Sequence, residues 1–270
     1  MATMTEIALP TEKMLARVHD GIGWMTYNNP ARHNAMSLEM QQSVPIILEA
    51  FQNDPEVRVV VVHGAGGKAF VSGADISEFG EKRTSVQARA VYDAAAAASG
   101  RAWAAVDKPI IAMIDGFCIG GGMLTALSTD VRICSEPSQF GVPAARLGLG
   151  YAAAGVERLN AVVGPAWAAE ILFSARRLSS AEALAIGLVN RVVAKDDLTQ
   201  VVCDLAAQIA VNAPLTLKAA KVTLRELQKD AARRDSARVD ALIEACFQSE
   251  DYREGQQAFM EKRQPNFRGL

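Results

Sequence analysis

Two glycine-bearing turns hold the residues whose types and spacing could do chemistry. One is "GAGGKAFVSGADISEF", Gly64 to Phe79, and the other is "GFCIGGGMLTAL", Gly116 to Leu127. Each follows a run of apolar, strand-like residues, and the second leads into a helical pattern. Glycine admits positive φ and lets the main chain approach a ligand closely. Amides at a helix N-terminus lack intrahelical acceptors and sit at the positive end of the helix dipole. Two such amides, one from each turn, could clamp one carbonyl oxygen and hold the negative charge that develops on it. The Gly120–Gly122 triplet also fits two blander readings, tight packing or a phosphate cradle. The sequence has no G-x-G-x-x-G opening a helix in a βαβ unit and no GxxxxGK[ST] loop. It has no HExxH or other ligand cluster, so no metal is expected.

Those turns need a scaffold, and the composition supplies one. The chain has 270 residues, half of them hydrophobic and 21% charged, with a formal net charge of −2. That is enough apolar material for a sizeable core. The near-balanced charge gives no reason to expect nucleic acid or an anionic membrane as partner. Cys118, Cys134, Cys203 and Cys246 form no CxxC pair and read as reduced thiols of a cytoplasm-like compartment. The N-terminal "MATMTEIALPTEKML" carries acids early and lacks the basic start and apolar run of a targeting segment. The most apolar stretch, Pro109 to Leu127, is interrupted by Asp115 and by glycines, whereas a bilayer span needs roughly 20 predominantly apolar residues. A soluble, cytoplasmic protein is expected.

Periodicity places the turns. "MLARVHDGIGWMTYNNP" predicts two short strands around an Asp20-Gly21 turn. "SLEMQQSVPIILEAFQND" predicts a helix capped by Ser37, kinked or interrupted at Pro45. The β-branched run Val57 to Val62 predicts a strand buried on both faces. An alanine-rich helix is expected around 85–105, then "KPIIAMIDGFCIGGG" as a second buried strand and "DVRICSE" as a third. Strands alternating with helices predict an α/β layered domain with mainly parallel pairing. From Thr199 onward the pattern is helical throughout. The expected organisation is therefore an α/β core over 1–197 and a helical C-terminal region over 198–270.

The motifs "RVVVVHGAGGKAFVSGADISEF", "DKPIIAMIDGFCIGGGMLTALSTDVRICSEPSQFGVPAARLGLG", "LSSAEALAIGLVNRVV" and "AFMEKRQPNFRG" resemble the crotonase, or enoyl-CoA hydratase/isomerase, superfamily. The resemblance runs from about Val18 to the C-terminus. It implies a spiral of ββα units with a C-terminal helical trimerisation region, a homotrimer or a hexamer built as a dimer of trimers, and an acyl-CoA thioester substrate. It implies no separate cofactor, since coenzyme A arrives as part of that substrate. Carried over residue by residue, the oxyanion-hole amides fall on Ala74 and Gly121. Coenzyme A contacts fall on Arg32, His33 and the Ala74-Asp75-Ile76 segment, and a basic residue of the last helix, Lys262 or Arg263, reaches the CoA phosphates. Asp75 is expected to order its loop rather than carry a proton.

The same resemblance exposes a departure. Hydratases of this family use two glutamates, one just after the triplet and one after the proline of an FGxPE-like segment, for the proton transfers of hydration. Here those positions read Leu124 and Ala144, and a third acidic position used by some relatives reads Ala152. General acid–base groups contribute roughly 10²–10⁴ each in rate, so ordinary hydration is expected to be impaired. The polar side chains left in "RLGLGYAAAGVERL" are Tyr151 and Glu157. By position, Tyr151 resembles a tyrosine of malonyl-type CoA decarboxylases, although the histidine those enzymes place in the first turn is Ala74 here. Glu157, beside Arg158, reads as half of a surface ion pair. The sequence therefore predicts an enoyl-CoA hydratase/isomerase-like enzyme that stabilises a thioester enolate. A decarboxylase or thioesterase using Tyr151 is the next reading, and a non-catalytic acyl-CoA-binding homologue is a third.

Overall fold

The β-branched run is where the fold begins. The computed structural model describes residues 5–75 and 86–270, with the side chains of 86–89 left aside. Val60 and Val62 project into one apolar cluster and Val59 and Val61 into another. The strand that carries them, β4 (Val59–Gly64), is therefore buried on both faces. Six more strands flank it: β1 (Thr5–Glu6), β2 (Met14–His19), β3 (Ile22–Tyr27), β6 (Ile110–Ile114), β8 (Val131–Ser135) and β11 (Arg191–Val193). They form a sheet in the order β1-β2-β3-β4-β6-β8-β11. The first two pairings, β1 with β2 and β2 with β3, are antiparallel, and the rest are parallel. The β2–β3 hairpin turns on Asp20 and Gly21, both at positive φ (51° and 74°), as a two-residue hairpin loop prefers.

A second sheet contains β5 (Ala69–Val71), β7 (Phe117–Ile119), β9 (Gln139–Gly141) and β10 (Leu178–Ser179), in the order β10-β9-β7-β5. Each of β4, β6 and β8 gives way within a few residues to a strand of this second sheet. The chain thus winds between two sheets, as the expected α/β spiral requires. "KPIIAMIDGFCIGGG" is accordingly two strands and not one. The break is at Gly116, where φ is +77° and a Cβ would overlap the Lys68 carbonyl.

Helix α1 (Leu38–Asn53) is capped by the Ser37 side chain and continues through Pro45 as one helix, so the expected interruption does not occur. Ile47, Leu48 and Phe51 beyond the proline are fully buried in the main cluster, and that packing outweighs one missing backbone bond. The other α-helices among the described residues are α2 (Val86–Ala105), α3 (Gly121–Ala126), α4 (Ala153–Ser174), α5 (Ser180–Ala185), α6 (Leu198–Ala210), α7 (Pro214–Leu227), α8 (Ser236–Gln248) and α9 (Glu250–Glu261).

Leu198, Val202 and Ala206 of α6 cover the second face of the large sheet. Helix α7 is tied to the core by cations. Arg225 donates to the carbonyls of Ala104 and Val106 at the end of α2 (2.9 and 2.8 Å), and Lys221 donates to the Lys108 carbonyl (2.6 Å). These basic groups satisfy carbonyls that a helix C-terminus or strand start leaves unpaired. No single described helix is long and apolar enough to cross a membrane.

Candidate functional site

The two glycine-bearing turns meet. Ala74 forms an isolated parallel bridge with Met36, in which Met36 N–H donates to the Gly73 carbonyl (2.8 Å) and Asp75 N–H to the Met36 carbonyl (3.0 Å). In a parallel bridge of this kind the central residue's own N–H faces away from the partner strand. The Ala74 amide therefore turns toward the other loop. There, Gly121 opens α3, so its amide is one of those a helix leaves unpaired. A Cβ placed on Gly121 would stand 3.7 Å from the Ala74 nitrogen, and one on Gly73 would stand 4.0 Å from the Gly121 nitrogen. Two main-chain amides from separate loops thus border one small space.

Each glycine of the triplet has a different reason to be glycine. Gly120 adopts φ 55° and ψ −109°, a conformation closed to L side chains. At Gly121 a side chain would meet only ordinary contacts, but it would enter the space between the amides. Gly122 is pressed against the Val71 carbonyl, where a Cβ would overlap the oxygen.

The loop carrying Arg32 and His33 is laced to the first turn. Ser72 N–H donates to the His33 carbonyl (3.2 Å), and the Ser72 hydroxyl donates to the Arg32 carbonyl (3.4 Å). Arg32 lies 3.8 Å from the Asp75 carboxylate, with the arginine exposed and the aspartate mostly covered. His33 sits at φ 51° and meets the Phe117 ring edge-on at 6.0 Å. Arg32, His33, Ala74, Asp75 and Gly121 therefore belong to one neighbourhood. Ile76 lies outside the described residues. Lys262 is elsewhere in the chain: it closes α9 at φ 55°, is exposed, and bonds back to the Phe259 carbonyl.

Tyr151 lies against the start of α3. Its hydroxyl donates to the Gly120 carbonyl at 3.4 Å, and burial pushes the phenol up to about 12. Leu124 and Gly155 are its neighbours: a Cβ on Gly155 would come within 2.7 Å of the tyrosine ring and 3.3 Å of Leu124. Ala144 is half-buried against the main core, while Ala152 is exposed at the start of α4. Glu157 is exposed, and Arg158 directs its guanidinium to the Ser128 hydroxyl.

Two supporting residues escape a reading of sequence. Asn34, fully buried at φ 56°, donates to the carbonyls of Ala65 (2.9 Å) and Ala69 (2.7 Å) and accepts from Asn29 N–H (2.9 Å). Thr125 donates to the Gly121 carbonyl (3.1 Å). The tolerance of asparagine for left-handed backbone was the one local signal for Asn34. A separate cavity of about 700 Å³ lies at the far end of α3, between Leu127, Asp130, Arg158 and α7, and it contains neither amide.

The profile of the enoyl-CoA hydratase/isomerase family matches residues 17–269. The short-chain-enoyl-CoA hydratase of Clostridium acetobutylicum is 36% identical over 240 residues, covering 88% of this chain and 91% of that protein. The crotonyl-CoA hydratase of Syntrophomonas wolfei is 33% identical, covering 95% of this chain and 98% of that one. Among solved structures, an enoyl-CoA hydratase/carnithine racemase from Magnetospirillum magneticum superposes with a TM-score of 0.89 at 33% identity, covering 96% and 97% of the two chains.

Proposed function

Because the chain belongs to the enoyl-CoA hydratase/isomerase family, we propose that it binds an acyl-CoA thioester with the carbonyl oxygen between the amides of Ala74 and Gly121. The observation that carries this reading is the approach of those two amides across a gap kept open by the missing side chain of Gly121. Charge moving onto the thioester oxygen, as an enolate forms, would be held by donors already in place, the arrangement that contributes most to such reactions. Arg32 and His33, on the adjoining loop, would contact the coenzyme A portion. Arg32 is exposed beside Asp75, as a phosphate ligand needs to be. Asp75 would order that loop, Lys262 would contact the coenzyme A phosphates, and the protein would assemble as a trimer or a dimer of trimers.

The proton-handling side of the site is aliphatic. Leu124 and Ala144 stand where hydratases of the family would place glutamates, and Leu124 lies with Tyr151 against Gly155. This favours, as a second reading, a reaction that needs no base. In decarboxylation of a malonyl-type thioester the Cα–carboxylate bond breaks, CO₂ leaves, and its electron pair becomes the enolate that the two amides hold. A proton then returns to Cα.

Incubation with crotonyl-CoA and, separately, methylmalonyl-CoA distinguishes these readings, following enoyl absorbance and CO₂ release. Hydration at rates usual for glutamate-bearing relatives would refute the aliphatic-site reading. Binding of both esters without turnover would identify a non-catalytic homologue. Failure to bind any CoA ester would remove the proposal altogether.

A further inference from the structure

The peptide that joins Gly120 to Gly121 carries one of the two amides of the site. It has a glycine on each side, so no Cβ limits its rotation. Yet its N–H must face the neighbouring Ala74 amide for the pair to act together. Its orientation is therefore set by what holds its carbonyl, because the C=O of Gly120 and the N–H of Gly121 lie in one plane and point in opposite directions. Two donors hold that carbonyl: Leu124 N–H at 3.2 Å, the first turn of α3, and the Tyr151 hydroxyl at 3.4 Å.

We propose that Tyr151 is a positioning residue of the oxyanion site: its hydroxyl anchors and polarises the Gly120–Gly121 peptide, from a seat that Gly155 leaves open. The inference rests on the reading of Ala74 and Gly121 as the thioester donors. A phenol has one proton, and here it is given to the Gly120 carbonyl rather than held out to a substrate group. Hydrogen bonding at a peptide carbonyl draws electron density from its nitrogen and makes the N–H a stronger donor, so bonds in such a chain reinforce one another. The 3.4 Å separation is long for an O–H···O bond. It shortens as negative charge develops at the far end of the same peptide, as catalytic hydrogen bonds commonly do.

Burial keeps the phenol protonated, up to about 12, so the donor persists across the working range. Gly155 completes the arrangement. It lies four residues beyond Tyr151, within α4, and a methyl group there would come 2.7 Å from the ring carbon Cε1. Alanine suits a helix better than glycine, so Gly155→Ala displaces the ring without weakening α4.

The test is an isotope-edited infrared spectrum of bound crotonyl-CoA labelled at its thioester carbonyl, read beside kcat and KM. In the unaltered protein the bound carbonyl stretch falls below that of the free ester. Tyr151→Phe returns part of that shift and lowers kcat by about 3- to 10-fold, with KM changed less than about two-fold. Gly155→Ala returns at least as much of the shift, because its methyl group also comes within 3.3 Å of Leu124, and adding Tyr151→Phe to it changes nothing further. A Tyr151→Phe spectrum identical to the unaltered protein's overturns the inference and leaves the oxyanion site standing. Loss of turnover with the carbonyl shift intact also overturns it, since the phenol would then act on the substrate directly. No carbonyl shift in the unaltered protein would instead defeat the underlying reading of Ala74 and Gly121.

Discussion

Gly122 rests directly on the Val71 carbonyl, so that the second sheet and helix α3 touch backbone to backbone. A Cβ at this position would overlap the oxygen and come within 3.1 Å of the Val71 side chain. One residue earlier, the same methyl group at Gly121 would meet nothing closer than 3.6 Å. Two adjacent alanine substitutions are therefore expected to diverge. Gly122→Ala forces α3 from β5 and costs about 3 kcal/mol, read as a lower urea midpoint. Gly121→Ala leaves the midpoint nearly unchanged but fills the space between the amides, and turnover of CoA esters falls about 10²-fold or more. Equal stability loss in the two variants would contradict this division of roles.

The exposed Arg32 and the mostly covered Asp75 form a loose pair at 3.8 Å. Such pairs are worth little to the fold, so Arg32→Ala should cost less than about 0.5 kcal/mol. Its expected effect is on ligand. KM for a CoA ester rises about 10-fold, kcat stays within about two-fold, and the difference shrinks with added salt. Isothermal titration with coenzyme A alone checks the assignment, because an unchanged affinity would place the phosphates elsewhere.

Asn34 carries the loop geometry on one amide. Its side chain bonds two carbonyls and one N–H of segments up to 35 residues away, and it is wholly buried. Asn34→Ala leaves those groups unpaired and gives up a residue suited to positive φ, for a loss of about 3 kcal/mol. Asn34→Asp is worse, since the carboxylate faces two carbonyl oxygens in place of the donors they need. Thermal unfolding should rank the three proteins in that order, and the aspartate variant should recover part of its loss at acid pH, where the group is protonated.

How much of this was legible depends on how far each signal reaches along the chain. The valine run, the Asp20-Gly21 turn, the Ser37 cap and the glycine triplet are local patterns, and the structure forms each where the sequence places it. Pro45 misled because its cost is local while the packing of Ile47, Leu48 and Phe51 is tertiary. Two short apolar runs joined by Asp-Gly look continuous, so the stretch through Asp115 reads as one strand. Only the three-dimensional path sends them to different sheets. Tyr151 and Gly155 stand at helical spacing, but nothing in the sequence says that the phenol reaches the Gly120 carbonyl. Asn34 is the extreme case, since both bonds its side chain donates reach segments more than 30 residues away.

Lys221 gives the fold a pH dependence of definite sign. Its ammonium is buried under α7, bonded to the Lys108 carbonyl at 2.6 Å and to the Asp130 carboxylate at 2.8 Å. Burial lowers it from 10.5 to about 8 in spite of the stabilising charge of Asp130. A folded-state value below the unfolded one means that the unfolded chain holds the proton longer. Between those two values the unfolded state binds more protons, and stability contributed by this group rises with pH.

Lys108 shifts the same way, also to about 8. The thiol of Cys134 is pushed up to about 12 by burial, so its contribution falls once unfolded thiols ionise. The net curve is therefore a compromise, and comparison with Lys221→Met isolates one group. Asp130 keeps its bond from Ile110 N–H in that variant (2.7 Å). The unaltered protein should gain on Lys221→Met by up to about 2 kcal/mol between pH 8 and pH 10, measured by urea unfolding at half-unit steps. A difference that stays flat or shrinks across that window would mean that the ammonium is not held at the cost its burial implies.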